Sequence, residues 1–179
     1  MPLLARPVGT HGGQKFEKID NLAALKYFIE QDPAIDHYLI EYIEYKSPDG
    51  YFRKYRFIFV NDRIMPYHLA IADHWKVHHN TTDMVNHEWM KAEEKAFLEN
   101  PAAVFSAQHF QTLRAIQRAM GLEYCGIDCA IDGQGDLVVF EANASMMVHP
   151  YNDSFPYKTP FVEAIKQAFC EMLAKHVKN

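Results

Sequence analysis

The segment of residues 126–143 constrains the fold of this chain more than any other part of the sequence. It consists of an apolar strand, a glycine-rich turn and a second apolar strand that ends in polar residues. A hairpin folded about residues 134–135 places Asp128 directly opposite Glu141. Asn143 follows two residues later and therefore shares a face of the strand with Glu141.

These three side chains are candidate metal ligands. Two carboxylates directly across a strand pair repel each other, and a cation between them removes the repulsion. Mg²⁺ prefers hard oxygen ligands and is commonly shared with phosphate groups, so we expect Asp128, Glu141 and Asn143 to bind it. The alternative is a structural hairpin, in which Asp128 pairs with a lysine at a strand edge and Glu141 is solvated.

Composition narrows the class of protein. The 179 residues are 49% hydrophobic and 23% charged, which suits one ordinary domain or two small lobes. The net charge of −5 is unlike the basic surface of a nucleic-acid-binding protein, so we expect no nucleic-acid partner. The sequence has no long uncharged apolar run, so we expect no membrane partner.

The cysteines indicate a redox compartment, and the first residues suggest a longer polypeptide. The cysteines Cys125, Cys129 and Cys170 are odd in number and include no CxxC pair, which indicates reduced thiols in a cytoplasmic compartment. Cys125 and Cys129 lie on an apolar strand and are expected in the core. The chain enters an apolar strand at once, so we expect a fragment of a longer polypeptide, or a module without its N-terminal half.

Hydrophobic periodicity and turn residues predict more strands than helices, joined mostly by hairpins. This pattern is typical of an α+β protein with an antiparallel sheet. Asp20 or Asn21 can cap the first helix, and Gly121 ends the third. Beside the hairpin arms, strands are predicted over residues 3–8, 14–19, 37–45, 51–60 and 64–72, and helices over 22–29, 88–98, 107–120 and 161 to near the C-terminus.

Cationic residues on two segments are candidate phosphate contacts. The loop from Gly9 to Gly13 can point several backbone N–H groups at an anion, and Arg6 adds a positive charge beside it. The alternative is a plain hairpin loop. Lys54 and Arg56 share one face of a predicted strand and need acidic partners.

Candidates for those partners are Asp128, Glu141 and a bound phosphate. Arg53 points to the other face of the strand, where a cross-strand salt bridge is the competing interpretation. The segment from His74 to His79 suggests zinc. Its spacing matches no standard zinc pattern, so pocket lining or a mobile loop is favoured.

Taken together, these segments resemble the ATP-grasp superfamily, in particular its glutathione-synthetase-like and D-alanine–D-alanine-ligase-like branches. The hairpin of residues 126–143 resembles the family's metal-binding hairpin in spacing and residue type. The resemblance implies an ATP-grasp fold with two small α+β lobes around antiparallel sheets, lacking the family's N-terminal substrate domain. Residues 1–45 would form the smaller lobe and residues 46–179 the larger lobe.

The resemblance also implies roles for individual residues. Asp128 and Glu141 would hold one Mg²⁺, and Glu141 and Asn143 the second, with Mn²⁺ as a substitute. Arg56 and Arg6 would act catalytically on the phosphates. The other contacts would be the phosphate loop of Gly9, Thr10, His11, Gly12 and Gly13, the adenine-binding backbone near Glu41 and Ile43, a ribose-binding acid at Glu44 or Asp49, and an acceptor-substrate loop with Met146 and His149.

Three positions depart from the family pattern. Arg6 stands where the first strand usually carries a lysine, which keeps the charge but not its compact shape. Lys54 stands where an acid is often found two residues before the phosphate-facing arginine. Ile71 stands where some relatives carry a second arginine.

The implied activity is an ATP- and Mg²⁺-dependent ligation of a carboxylate to an amine or thiol through an acyl phosphate. The partners would be small-molecule or peptide carboxylates and amines, together with a missing N-terminal domain or a homodimer partner. One alternative is a degenerate ATP-grasp domain that binds nucleotide without turnover. Two others are a metal-dependent hydrolase built on the histidine-rich segment and a structural domain of a larger assembly.

Overall fold

The structure, a computed structural model, describes residues 2–10, 13–78 and 81–177. The chain divides into two compact units, Met1–Glu44 and Tyr45–Asn179. Helices and two antiparallel sheets make up these units, so the fold is α+β as the sequence predicts. None of the helices in the described ranges combines the length and the apolar character needed to cross a membrane.

Unit 1 is a three-stranded antiparallel sheet with one helix. The strand order is β2-β1-β3, and a small core forms from Ala5, Ile19 and Phe28. Asn21 begins the helix, since its Oδ1 accepts the Ala24 N–H at 2.9 Å. The elements are β1 (Leu3–Pro7), β2 (Glu17–Ile19), α1 (Leu22–Glu30) and β3 (His37–Glu41).

Unit 2 contains a four-stranded antiparallel sheet in the order β5-β4-β6-β7. Its strands are β4 (Phe52–Val60), β5 (Arg63–Ala72), β6 (Tyr124–Ile131) and β7 (Leu137–Asn143). Its helices are α2 (Glu88–Glu99), α3 (Ala107–Met120) and α4 (Thr159–Val177), with short 3₁₀ turns at Met84–Asn86, Pro101–Ala103 and Pro156–Lys158.

The two faces of this sheet pack into different cores because side chains alternate along a strand. On one face, Tyr55, Phe57 and Phe59 of β4 pack with α2 and α3, and Cys125 and Cys129 are buried there as expected. On the other face, Ile58 and Val60 pack against α4. Lys54 and Arg56 share the face of Ile58, so both cations lie on one side of the sheet.

Helix α3 has the bounds that the sequence predicts. Ser106 caps its start by accepting the His109 N–H at 3.2 Å, and the His109 side chain accepts the Ser106 N–H in return. Gly121 ends it in a left-handed conformation with φ of 63°. Local capping chemistry was therefore sufficient to locate this element.

Candidate functional site

The hairpin of β6 and β7 brings the predicted acidic residues together. Asp128 is paired with Glu141, as the sequence predicts. The turn itself is tighter than expected, because it pairs Ile131 with Leu137. A register shift between Asp128 and Cys129 inserts one extra residue in β7 and restores the expected pairing.

Asp128 is engaged by two cations of β4. Arg56 donates from Nε to Oδ1 at 2.5 Å and from Nη2 to Oδ2 at 2.8 Å. Lys54 donates from Nζ to Oδ2 at 2.9 Å. Asp128 is only 2% exposed, and its burial raises the pKa of the carboxyl, but Arg56 and Lys54 outweigh this and hold the pKa below its usual range.

Glu141 and Asn143 have different surroundings. Glu141 is exposed, and its negative charge acts on Arg56. Burial lowers the pKa of Arg56. The hydrogen bond to Asp128 and the charges of Asp128 and Glu141 outweigh the burial and raise this pKa above its usual value. The Oδ1 atom of Asn143 accepts the Ser145 N–H at 2.8 Å. Only Glu141 therefore presents a carboxylate to solvent.

The three predicted ligands do not fit a pair of Mg²⁺ ions in the arrangement that the structure has. Both oxygens of Asp128 already accept hydrogen bonds from cations. The charges of Asp128 and Glu141 are balanced by those of Lys54 and Arg56. Within the described ranges, no group of three or more His, Cys, Asp or Glu residues is placed to hold a metal ion.

The predicted phosphate loop is described only in part. Gly9 and Gly13 have φ angles of 84° and 75°, which favour glycine. Arg6 donates from Nη1 to the Thr10 carbonyl at 3.2 Å. His11 and Gly12 lie outside the described residues. The Arg6 guanidinium thus lies at the loop, and its role in binding phosphate stays a prediction.

The segment predicted to bind adenine contains a shorter strand than the sequence indicates. Strand β3 ends at Glu41, which pairs with Leu3, whereas the alternation predicted a strand that continues to Tyr45. Ile43 and Glu44 therefore lie beyond the strand, in chain without regular secondary structure. The Glu44 carboxylate accepts the Tyr42 hydroxyl at 3.0 Å.

Asp49, the other candidate for the ribose, is paired with an arginine. Arg53 donates from Nη1 and Nη2 to the two Asp49 oxygens at 3.0 and 2.7 Å. The same guanidinium donates from Nε to Glu93 of α2 at 2.5 Å. Arg53 thus connects the turn that contains Asp49 with helix α2, and it forms no salt bridge across the sheet within the described residues. The Asp49 carboxylate is already paired with Arg53.

The predicted acceptor loop is anchored to the sheet. Met146 is 4% exposed and packs in the α4 core, so its side chain contributes to packing. The sequence had instead suggested that Met146 contacts the substrate. Its carbonyl accepts the Tyr124 hydroxyl. A Cβ at Gly126 would lie 2.5 Å from Met146, so only glycine fits beneath it. The His149 N–H donates to the Tyr67 hydroxyl oxygen at 2.8 Å.

A second buried carboxylate, Glu94 of α2, was not predicted as a functional residue. It is fully buried, and its Oε1 accepts from Leu69 N, His68 Nδ1 and Lys158 Nζ at 3.1, 2.5 and 3.1 Å. Its Oε2 accepts from the Tyr157 hydroxyl at 2.6 Å. One sequence signal was available: Glu94 lies on the same helix face as the buried Met90 and Phe97.

The electrostatics of this cluster follow from its burial. Burial raises the pKa of Glu94, but His68, Lys158 and Tyr157 outweigh it and hold the pKa at about 2. Burial lowers the pKa of both His68 and Lys158. His68 Nδ1 faces an ionised carboxylate and is placed to donate a hydrogen bond to Glu94 Oε1, while Lys158 Nζ lies 3.0 Å from the same nitrogen.

The histidine-rich segment shows no metal-binding arrangement in its described part. His74 Nδ1 lies 3.0 Å from Asp73 Oδ1; Asp73 is exposed and His74 is half-buried. His78 donates its backbone N–H to Thr81 Oγ1 at 3.2 Å. His79 lies outside the described residues.

Comparison with solved structures identifies the fold. The biotin carboxylase domain of the 2-oxoglutarate carboxylase of Hydrogenobacter thermophilus, solved with MgADP, ADP and bicarbonate, aligns with a TM-score of 0.50 and 13% identity over 91% of this chain. The chain has the ATP-grasp fold. This part of the resemblance seen in the sequence is confirmed.

Other solved structures align with lower scores. The ligase PsnB, solved with a precursor variant, Mg and ADP, gives a TM-score of 0.45 and 16% identity over 94% of this chain. The macrocyclase MdnC of Microcystis aeruginosa, solved with the peptide MdnA, gives 0.46 and 13% over 92%. The chain spans 36%, 45% and 47% of the lengths of these three proteins. No protein-family model and no curated protein sequence matches it.

Proposed function

We propose that this chain is the nucleotide-binding part of an ATP-dependent ligase that joins a carboxylate to an amine or thiol through an acyl phosphate. One observation carries the proposal. On an ATP-grasp fold, strand pairing places Arg56 against Asp128 and Asp128 against Glu141, so a guanidinium and two carboxylates meet at one place.

This arrangement suits the binding of a polyphosphate. A guanidinium binds phosphate with the same paired geometry that it uses for a carboxylate. The phosphates of ATP can therefore compete with Asp128 for Arg56, and Lys54 adds a second positive charge beside them. Phosphoryl transfer needs positioning and neutralisation of charge more than a covalent role for the protein.

Unit 1 carries its own candidate contacts for a nucleotide, which are those expected from the sequence. Arg6 and the loop of Gly9, Thr10 and Gly13 would bind phosphate oxygens, and the backbone near Glu41 and Ile43 would bind adenine. Mg²⁺ bound to the nucleotide would neutralise phosphate charge. Glu141 is the exposed carboxylate available for it. The carboxylate and the amine substrates are small molecules or peptides.

A second candidate is a degenerate ATP-grasp domain that binds nucleotide without turnover. The observation that favours it is the state of Asp128, whose two oxygens are both occupied by cations of the same sheet. A carboxylate that never leaves these cations cannot take part in metal binding. Turnover separates this candidate from the ligase.

Two measurements on the full chain test the proposal. Isothermal titration calorimetry with ATP, in the presence and absence of Mg²⁺, measures nucleotide binding. Release of ADP, measured with sets of carboxylates and amines, reports turnover. We expect Mg²⁺-dependent binding of ATP. Absence of any nucleotide binding would rule out both candidates, whereas binding without ADP release would favour the degenerate domain.

Replacing Glu141 by glutamine should abolish the Mg²⁺-dependent part of nucleotide binding. The fold should persist, because Glu141 is exposed and its side chain forms no hydrogen bond within the described ranges. Calorimetry checks the binding, and circular dichroism checks the fold. Glu99→Gln, at an exposed position on α2, is the matched control. Unchanged Mg²⁺ dependence in Glu141→Gln would refute the role of this carboxylate.

A further inference from the structure

Lys54 holds a place at Asp128 that an added cation would otherwise take. Its ammonium lies 2.9 Å from Oδ2, and the two side chains are 15% and 3% exposed. Within the described residues, this is the only hydrogen bond of the Lys54 side chain. An ammonium group with so little access to water depends on its carboxylate partner.

A divalent ion that binds Asp128 must displace this lysine. The displacement leaves a largely buried ammonium group without a partner, which is strongly unfavourable. It also brings the ion close to two fixed positive charges, because Arg56 contacts the same carboxylate. The two carboxylates and two cations already balance, so the cluster has no net charge with which to attract a metal ion.

We infer that Lys54 is a built-in cation that replaces one divalent metal ion at Asp128. The inference rests on the proposed function and refines it. The nucleotide site of this chain takes no more than one metal ion, at Glu141, and the charge that a second ion would bring is supplied by Lys54. A change at Lys54 therefore alters the number and affinity of bound metal ions.

Titration with Mn²⁺ alone, followed by electron paramagnetic resonance of the free ion, tests this without nucleotide. Lys54→Met keeps the length of the side chain and removes its charge, which leaves a free lone pair on Oδ2 and a net charge of minus one on the cluster. We expect at least about tenfold tighter Mn²⁺ binding than in the wild type, and a larger gain for Lys54→Asp. Lys54→Arg, which keeps the charge, should bind Mn²⁺ like the wild type.

Equal Mn²⁺ affinity in Lys54→Met and the wild type would overturn the inference. So would a gain of the same size in Lys54→Arg, because the charge would then be irrelevant. The wild type supplies a test that needs no variant: with saturating ATP, the number of Mn²⁺ ions bound per chain should be one. Binding of two Mn²⁺ ions per chain would contradict the inference that Lys54 replaces one of them.

Failure of the proposed function is a separate outcome. If ATP does not bind, the ligase proposal falls, while the comparison of Mn²⁺ affinities without nucleotide still decides the role of Lys54. Circular dichroism during thermal unfolding verifies that each variant is folded before its titration is interpreted. The Mn²⁺ count in the wild type decides the question where a variant does not fold.

Discussion

Asp128 and Glu94 are both buried carboxylates that pair with a lysine, yet their surroundings differ. Glu94 lies on α2 and accepts hydrogen bonds from two other elements, β5 and the turn Pro156–Lys158. Among the residues that the structure describes, the Asp128 side chain accepts only from β4, which is already hydrogen-bonded to β6 along the ladder. The Glu94 contacts therefore join separate parts of the fold, whereas the Asp128 contacts join strands that are joined without them.

This difference teaches which charged cluster is structural and which can change partners. Removing the Glu94 contacts removes hydrogen bonds that link a helix, an edge strand and a turn. Exchanging the partners of Asp128 leaves the sheet intact, because backbone hydrogen bonds connect the same two strands. The two cations at Asp128 are therefore not needed to join β4 to β6, but they neutralise a carboxylate that is only 2% exposed.

The largest expected effect is on stability, and it concerns Glu94. Replacing Glu94 by alanine should lower the free energy of unfolding by about 3–5 kcal/mol, because Lys158 is left buried and unpaired. Urea denaturation measures the change. Glu99→Ala, on the exposed side of the same helix, should cost less than about 1 kcal/mol. A loss below 1 kcal/mol in Glu94→Ala would remove the contrast between the two clusters.

The decrease in the free energy of unfolding at acidic pH should also depend on Glu94. The pKa of Glu94 is lowered in the folded protein from 4.5 to about 2, so its contribution is present above about pH 4.5 and is lost as the pH falls towards 2. The shift corresponds to about 3 kcal/mol in total. Urea denaturation at several pH values measures it.

The matched variant for this pH dependence is Glu94→Gln, which cannot lose a proton. We expect its stability to vary less than that of the wild type between pH 5 and pH 3. Burial also lowers the pKa of His68, so the wild type should begin to lose stability nearer pH 6.5 as the unfolded chain takes up that proton first. The same dependence of stability on acidic pH in the two proteins would show that the charge of Glu94 does not stabilise the fold.

The contrast between the clusters also marks what the sequence could predict. Helix α3 was placed correctly because its start and its end depend on residues next to it in the chain. The pairing of Asp128 with Glu141 was predicted by counting across a hairpin, although the register shift that produces it was not. Asp128 was also named as a candidate partner for Lys54 and Arg56, because cations on an apolar sheet face need acids.

The Glu94 cluster could not be predicted in the same way. Its partners His68, Tyr157 and Lys158 are 26, 63 and 64 residues away along the chain. No local pattern connects a helix with an edge strand and a turn over such separations. The burial of Met146 was missed for the same reason, since its core forms with α4, which follows later in the chain.

The smallest of these effects, expected in binding rather than in folding, concerns Arg56. Arg56→Ala should weaken ATP binding by about 2 kcal/mol, or roughly thirtyfold, because a charge-assisted contact to phosphate is lost. Adenosine, which has no phosphate, should bind nearly as before. Arg53→Ala is the control, since Arg53 pairs with Asp49 and Glu93 instead. Calorimetry with both ligands gives the comparison, and equal losses for ATP and adenosine would mean that Arg56 only supports the fold, as Glu94 does.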